Sequence, residues 1–293
     1  IHVKVLYDGN ELSRSRFHIR PLPTLIHGFV TDQFRQPLEG IEVRVPELGI
    51  SARTNVDGNY GFGFGQPAAA MIPAGRYRAV ANPGMGNSAF GSTEFWLTVS
   101  KGRLNANGFV KVPYLNPQEP FRLAASRQAE ALLASKELKL NLSQATLSYP
   151  NGRTQGMVHA QFMKIQEVSY RALPAAHPSW VFSIQPSGIQ VDGTVDVTLA
   201  IPKLFDSYEY VEMLTDRVIL VALDPESLEI VPVGVGLVNK EQKTVSSEKP
   251  LAVKRLDIIG YALTAMENET ILQSYAQDEI TLEQMIGQLQ VQQ

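Results

Sequence analysis

The stretch Thr54–Phe64, "TNVDGNYGFGF", sets a tight-turn signal between two short runs of β-prone and aromatic residues. Two readings compete for it, a ligand loop or a plain bend. Asp57 can accept local backbone hydrogen bonds and Gly58 can take positive φ at little cost, so Asp57-Gly58-Asn59 reverses the chain and predicts a hairpin. Beyond the turn, Tyr60, Phe62 and Phe64 fall on one face because strand side chains alternate, and Gly61, Gly63 and Gly65 leave the other face bare. Asn55, Asp57 and Asn59 also alternate as the oxygen ligands of a calcium loop do. No later acid stands at the EF-hand spacing, which favours the structural reading.

Outward from the turn the same chemistry repeats. "LIHGFVTD" leads into the turn "QFRQPLEG", and "IEVRVPEL" puts Ile41, Val43 and Val45 on one face against Glu42 and Arg44 on the other. Such alternation belongs to antiparallel strands with one face in a core and one in water. "GRYRAVANPG", "STEFWLTVSKG" and "GFVKVPYL" follow at the spacing of a β-sandwich.

Three elements occur in order: Gly28-x-Val30-x-Asp32, Pro37-Leu38-x-Gly40-Ile41-x-Val43, and Thr54-x-x-Asp57-Gly58-x-Tyr60-x-Phe62. Over residues 24–113 the chain resembles the carboxypeptidase regulatory-like, or transthyretin-like, β-sandwich family. That resemblance implies a sandwich fold. Domains of this kind can follow a zinc carboxypeptidase, whose metal site uses His-x-x-Glu. None of His2, His18, His27, His159 and His177 has Glu three residues later, and none forms His-Glu-x-x-His. In the second half, "ATLSYPNG", "FSIQPSGI", "VTLAIPKL" and "VPVGVGLVNKEQKTVSSE" resemble the β-rich segments of large bacterial surface proteins and of Rhs/YD-repeat and teneurin shells. That likeness is one of texture, and no functional residue carries over.

The expected fold is mainly β: a transthyretin-like or Ig-like sandwich followed by a second sandwich-like domain, with a connecting helix and a short C-terminal helix. Residues 1–22 read as a hairpin, possible end of a preceding domain, and "PLP" at 21–23 as the boundary to a sandwich over 23–115. Asn116, Pro117 and Glu119 suit an N-cap, first-turn proline and third-position acid, and the alanine- and leucine-rich run behind them predicts a helix over 116–137. A second β-domain spans 138–266. The tail 267–293 reads as helical, with Thr281 and Gln284 placed as a capping box.

Composition bounds the function. The 293 residues suffice for about two domains, and 44% apolar with 19% charged residues is a globular balance. A formal net charge of -3 gives no field to draw the chain onto nucleic acid. Absence of cysteine excludes disulfides, thiolate nucleophiles and iron–sulfur clusters. No apolar run approaches the roughly 20 residues of a spanning helix. The chain begins at Ile1 and enters an alternating run at once, which reads as a piece of a longer or processed polypeptide.

Motifs that could carry chemistry fall short. "GNSAFG" around Ser88 has Phe90 where a nucleophile elbow needs glycine. "GVGLV" at 234–238 leads into strand rather than a helix N-terminus, so Gly234 and Gly236 read as aids to close packing. Asn141 and Asn268 match the short glycosylation pattern, which matters only in a eukaryotic secretory setting. Trp180 shares a face with Phe182 and Ile184 and reads as core. Trp96 stands beside Glu94 and Thr98 on the wetter face of its strand, where an indole could stack on a sugar or anchor a protein. The plainer alternative is that the adjoining domain covers it.

These readings converge on a non-enzymatic structural or interaction module of an exported, cell-surface bacterial protein, a spacer, shell or filament component. Its expected partners are other domains of the same protein, meeting sheet edges and the Trp96 face. No catalytic residue, metal or cofactor is expected. A carbohydrate- or protein-binding adhesin module stays open as the alternative.

Overall fold

The structure is a computed structural model and describes residues 2–16, 23–64, 72–115, 120–124, 130–150, 152–153, 155–174, 178–202 and 215–291. It opens with a hairpin of β1 (His2–Tyr7) and β2 (Asn10–Arg16). Their two-residue loop places Asp8 at φ 49° and Gly9 at φ 77°. Positive φ at both loop positions matches the right-handed strand twist.

The first unit packs two sheets face to face. Its strands are β3 (Leu25–Asp32), β4 (Glu42–Val45), β5 (Ile50–Arg53), β6 (Asn59–Phe62), β7 (Gly75–Ala81), β8 (Thr93–Val99) and β9 (Leu104–Val112). One sheet has the order β6-β3-β9 and the other β5-β4-β7-β8. Ile26, Val30, Val43, Val45, Tyr60, Phe62, Leu97 and Val110 meet between them, each from the inward side of an alternating strand, together with Ile41 just before β4.

This order corrects the reading of the turn at 54–59. β6 pairs with β3 and not with β5, so the bend carries the chain from one sheet across to the other. It is an arch, not a hairpin. Gly58 takes φ +74°, and a Cβ there would stand 2.5 Å from the Val30 carbonyl oxygen. Asn55, rather than Asp57, organises the bend: its Oδ1 accepts from the Asp57 amide at 3.1 Å and the Asn59 amide at 2.9 Å. Thr54 ties the arch to the neighbouring loop, donating to Leu38 O at 2.5 Å and accepting from the Ile41 amide at 2.9 Å. Phe64 also departs from expectation. Tyr60 and Phe62 are buried, yet Phe64 is 51% exposed and its ring lies over Gly61 on the opposite face. Gly63, at φ +88°, turns the strand before the third aromatic can alternate inward.

The expected helix over 116–137 is absent from the described part of that segment. Phe121–Ala124 is a strand, β10, and Ala131–Leu133 another, β11, followed by a 3-10 turn at Ala134–Lys136. Leu123, Ala131 and Leu133 lie in the second core at 0–2% exposure. Burial on alternate residues overrides intrinsic helix preference, which is worth only tenths of a kcal/mol per residue, about 0.7 at most for ordinary residues. Ala134, Ser135 and Lys136 all have positive φ, which a right-handed helix cannot accommodate. The proposed cap at 116–119 lies outside the described residues.

The second unit is built on one large sheet. After β12 (Leu138–Asn141), β13 (Ala145–Ser148), β14 (Gln155–Lys164) and β15 (Arg171–Ala172) come β16 (Trp180–Gln185), β17 (Gln190–Gly193) and β18 (Asp196–Ala200). They are followed by β19 (Arg217–Asp224), β20 (Glu229–Asn239), β21 (Thr244–Ser247) and β22 (Ile258–Ala262). The order is β10-β14-β16-β22-β19-β20-β21-β18-β12-β11, with β15 alongside β20 and a separate β13-β17 pair. Strands from both ends feed one core, where Leu123 and Val158 meet Leu133, Leu138 and Leu140, so the sheet curls over on itself.

The sheet's centre is buried on both faces. Along β19, Val218, Leu220 and Ala222 enter the enclosed core. Ile219, Val221 and Leu223 enter a second one, covered by Ile271 and Leu272 of α1 (Glu269–Ala276) and Met285 and Leu289 of α2 (Leu282–Val291). The Thr281–Gln284 capping box forms, with the Thr281 amide donating to Gln284 Oε1 at 2.8 Å and the Gln284 amide to Thr281 Oγ1 at 3.2 Å.

Candidate functional site

Strand β8 presents Phe95, Leu97 and Val99 to the first core and Glu94, Trp96 and Thr98 to the other side. Neighbouring β7 sets Arg78 opposite Trp96 and Arg76 opposite Thr98. Their guanidinium carbons stand 5.2 and 4.3 Å from the indole centroid, within cation–π range. The indole N–H donates to the Ser227 carbonyl at 2.9 Å, and Arg78 Nη2 donates to the Pro225 carbonyl. Ser227 and Pro225 lie in the turn between β19 and β20, which belongs to the second unit. Trp96 is therefore at the seam between the two β units, covered by the adjoining one; Thr98 stays exposed.

Glu94 meets a charge cluster. Both of its carboxylate oxygens accept from Arg255, each at 3.1 Å, and Arg78 stands 3.4 Å away. Arg255 also pairs through Nε with Asp257 Oδ2 at 2.6 Å, and Asp257 Oδ1 accepts from the Gly188 amide at 2.6 Å. The side chains of Arg255 and Asp257 are 8% and 2% exposed. Burial pushes the Asp257 carboxyl up to about 6, against the opposing pull of Arg255. Burial likewise raises the Tyr170 phenol above its ordinary value, aided by the nearby Asp257 and Glu94 charges.

Two further groups stitch the seam. The Ser92 amide donates to Gln185 Oε1 at 2.9 Å, Gln185 Nε2 returns a bond to the Ser92 carbonyl at 3.1 Å, and the Ser92 and Ser187 hydroxyls meet at 2.8 Å. All three side chains are buried. Beside them, a Cβ on Gly91 would stand 2.7 Å from both Gln185 and Pro113. The Ser169 hydroxyl accepts from the Lys111 amide at 2.6 Å and donates to its carbonyl at 3.2 Å, while the Lys111 ammonium reaches the Gln166 carbonyl.

Within this cluster each oxygen of Glu94 and Asp257 faces a cationic or amide partner, which holds the two carboxylates in place. Among the described residues, no three His, Asp or Glu side chains stand close enough together to hold a metal ion. Of the histidines, His27 bonds Asn59 Oδ1 at 3.0 Å and His159 sits on β14; His18 and His177 lie outside the described residues. At the arch, Asn55 Oδ1 is already occupied by two amides, Gly58 supplies the bend, and Asn59 pairs with His27. No helix among the described residues is long and apolar enough to cross a membrane.

Of the expected site residues, Trp96 and Glu94 come together at the seam, whereas Asp57, Gly58 and Asn59 serve the arch. Sequence reasoning missed Arg78, Arg255, Asp257 and Gln185. Only the "RLD" run at 255–257, two opposite charges two residues apart between the apolar stretches "LAV" and "IIGYALTA", hinted at a buried ion pair.

No protein-family model matches the sequence, and no curated protein matches it. Among solved structures, the chain is similar to the Bacillus anthracis TIE protein at 9% identity, with 83% of this chain and 49% of that one covered and a TM-score of 0.25. It is similar to the major pilin subunit of Bacillus cereus at 12% identity, with 83% and 59% covered and a TM-score of 0.20. The chain thus spans about half to three-fifths of the length of these two proteins. Scores of this size assign neither a fold nor a function, and no match assigns the first unit to the carboxypeptidase regulatory-like family.

Proposed function

We propose that this chain is a non-enzymatic structural module of an exported bacterial surface protein, a spacer or shell element that holds its neighbours at a set separation. The observation that carries this reading is the seam. A largely buried two-pronged ion pair and reciprocal hydrogen bonds join two β units that each have a core of their own.

Contacts between domains in one chain resemble transient interfaces by default and permit relative motion. Here polar groups on both sides are buried and paired across the seam, so parting the units would strand Glu94, Arg255 and Gln185 at a cost that water only partly offsets. A spacer needs that resistance, whereas an enzyme of two domains more often needs a cleft that opens.

Small-angle scattering tests the reading. One maximum dimension should persist from low to physiological salt, and an Arg255→Ala chain should broaden the distance distribution. A wild-type profile that requires several arrangements of the two units would defeat it.

A further inference from the structure

Where the seam meets the solvent it leaves a hollow of about 260 Å³, lined among others by Arg76, Trp96, Asn107, Phe109, Arg171 and Glu229. Sites for small ligands favour domain junctions and combine apolar surface with a few convergent polar groups. Phe109 is 65% exposed at the rim, on an edge strand, and its ring lies 5.3 Å from that of Phe29. Beside it, on the outer face of β6-β3-β9, His27 stands edge-on to Phe29 at 4.9 Å, and Leu104 and Phe64 are 56% and 51% exposed.

We infer that this hollow and the aromatic face beside it bind a saccharide chain, one ring entering the hollow and the next lying on Phe109. The lining selects that chemistry. The side chains of Arg76, Arg171 and Glu229 make no hydrogen bond or ion pair with any described residue. Guanidiniums only donate, a carboxylate only accepts, and Asn107 offers an amide oriented by its bond to the Tyr60 hydroxyl at 3.1 Å. A simple anion would face Glu229 and a simple cation would face two arginines. A polyol satisfies both kinds of group, because each hydroxyl donates and accepts, and its C–H face suits an exposed ring. The volume lies just under the roughly 300 Å³ at which drug-sized sites begin, which suits a single sugar ring. Trp96 is not the ligand's ring: Arg76 lies over its face and its N–H is held by Ser227.

This binding activity goes beyond the spacer role and fails separately from it. The test is retention of the full chain on immobilised hexamers of cellulose, xylan, chitin and polygalacturonate, the last separating acidic from neutral sugars, followed by calorimetry on the hexamer held best. The wild type should bind at least one hexamer, and Phe109→Ala and Glu229→Gln should each weaken it by about tenfold or more, the loss of one or two good polar or stacking contacts. Phe109→Tyr should retain binding, and all three variants should keep the wild-type thermal midpoint and scattering profile. No retention on any hexamer, or undiminished binding by Phe109→Ala or Glu229→Gln, overturns the inference and leaves the seam untouched.

Discussion

Arg255 of the second unit grips Glu94 of the first through two hydrogen bonds of 3.1 Å, one to each carboxylate oxygen. The two residues lie 161 positions apart in sequence and both are largely buried. A fork-to-fork pair of this kind fixes orientation as well as distance. Since Arg255 also holds Asp257, the three groups form one unit that spans the seam.

Truncating one member should cost more than removing the pair. Glu94→Ala leaves a buried guanidinium short of charge, and a loss of about 3–5 kcal/mol is expected for breaking a buried pair from one side. Glu94→Leu combined with Arg255→Met and Asp257→Asn should recover most of that loss, because apolar isosteres often replace buried ions at little net cost and the amide at 257 leaves no charge unpaired while keeping an acceptor for the Gly188 amide. Urea midpoints of Glu94→Ala and of the triple variant check this. A triple variant no more stable than Glu94→Ala would count against it.

The raised Asp257 carboxyl sets a pH dependence with a definite sign. Its folded value of about 6 exceeds the roughly 3.9 of an unfolded aspartate, so the folded state binds this proton more readily. The group's stabilising contribution is therefore complete below about pH 4 and is lost as pH rises through about 6. Asp257→Asn cannot titrate. The stability difference, wild type minus Asp257→Asn, should fall between about pH 4 and about pH 6 in urea titrations. A rise over that interval would contradict the environment described for Asp257.

The arch assigns unequal weight to two neighbours. Asn55→Ala removes the acceptor for two amides and should destabilise by about 1–2 kcal/mol, as loss of comparable capping oxygens does. Asp57→Ala should stay within about 0.5 kcal/mol, the usual range for exposed positions. Thermal melts of the two variants suffice; equal losses would mean that Asp57 organises the bend after all.

At Gly91 the seam tolerates no side chain. Gly91→Ala would put a Cβ 2.7 Å from Gln185 and Pro113, so those groups must shift or the units must part. The expected result is faster amide hydrogen exchange at Ser92 and Ser187, with the exchange of Ile41 and Leu97 in the first core unchanged. Exchange at the seam equal to that of the wild type would show that the contact yields freely.

Much of this architecture was legible from period alone. The alternation in "IEVRVPEL" and "STEFWLTVS" put Val43, Val45, Phe95 and Leu97 in the core where they are found. The run "RVILVALD" went unread: β19 faces two cores, the burial on both faces that an unbroken apolar run in a strand can signal. The run "FRLAASRQAEALLASKEL" misled because alanine and leucine favour helix locally while long-range pairing decides otherwise: Ala131 and Leu133 face Leu140 and Leu138 across a strand ladder. Phe64 misled because strand alternation was extended past Gly63, where the strand ends. The seam was illegible for a different reason. Its partners, Glu94 with Arg255 and Ser92 with Gln185, are separated by more than ninety residues, and no local pattern encodes such a pairing.

The central claim is that the two β units move as one body. The chain has no cysteine, so Asp57→Cys and Glu241→Cys would place a single dye on an exposed position of each unit. Single-molecule energy transfer between them reads the separation directly. The account predicts one narrow distance distribution that broadens when Arg255→Ala is added. Two or more interconverting distances in the otherwise unmodified chain would contradict it.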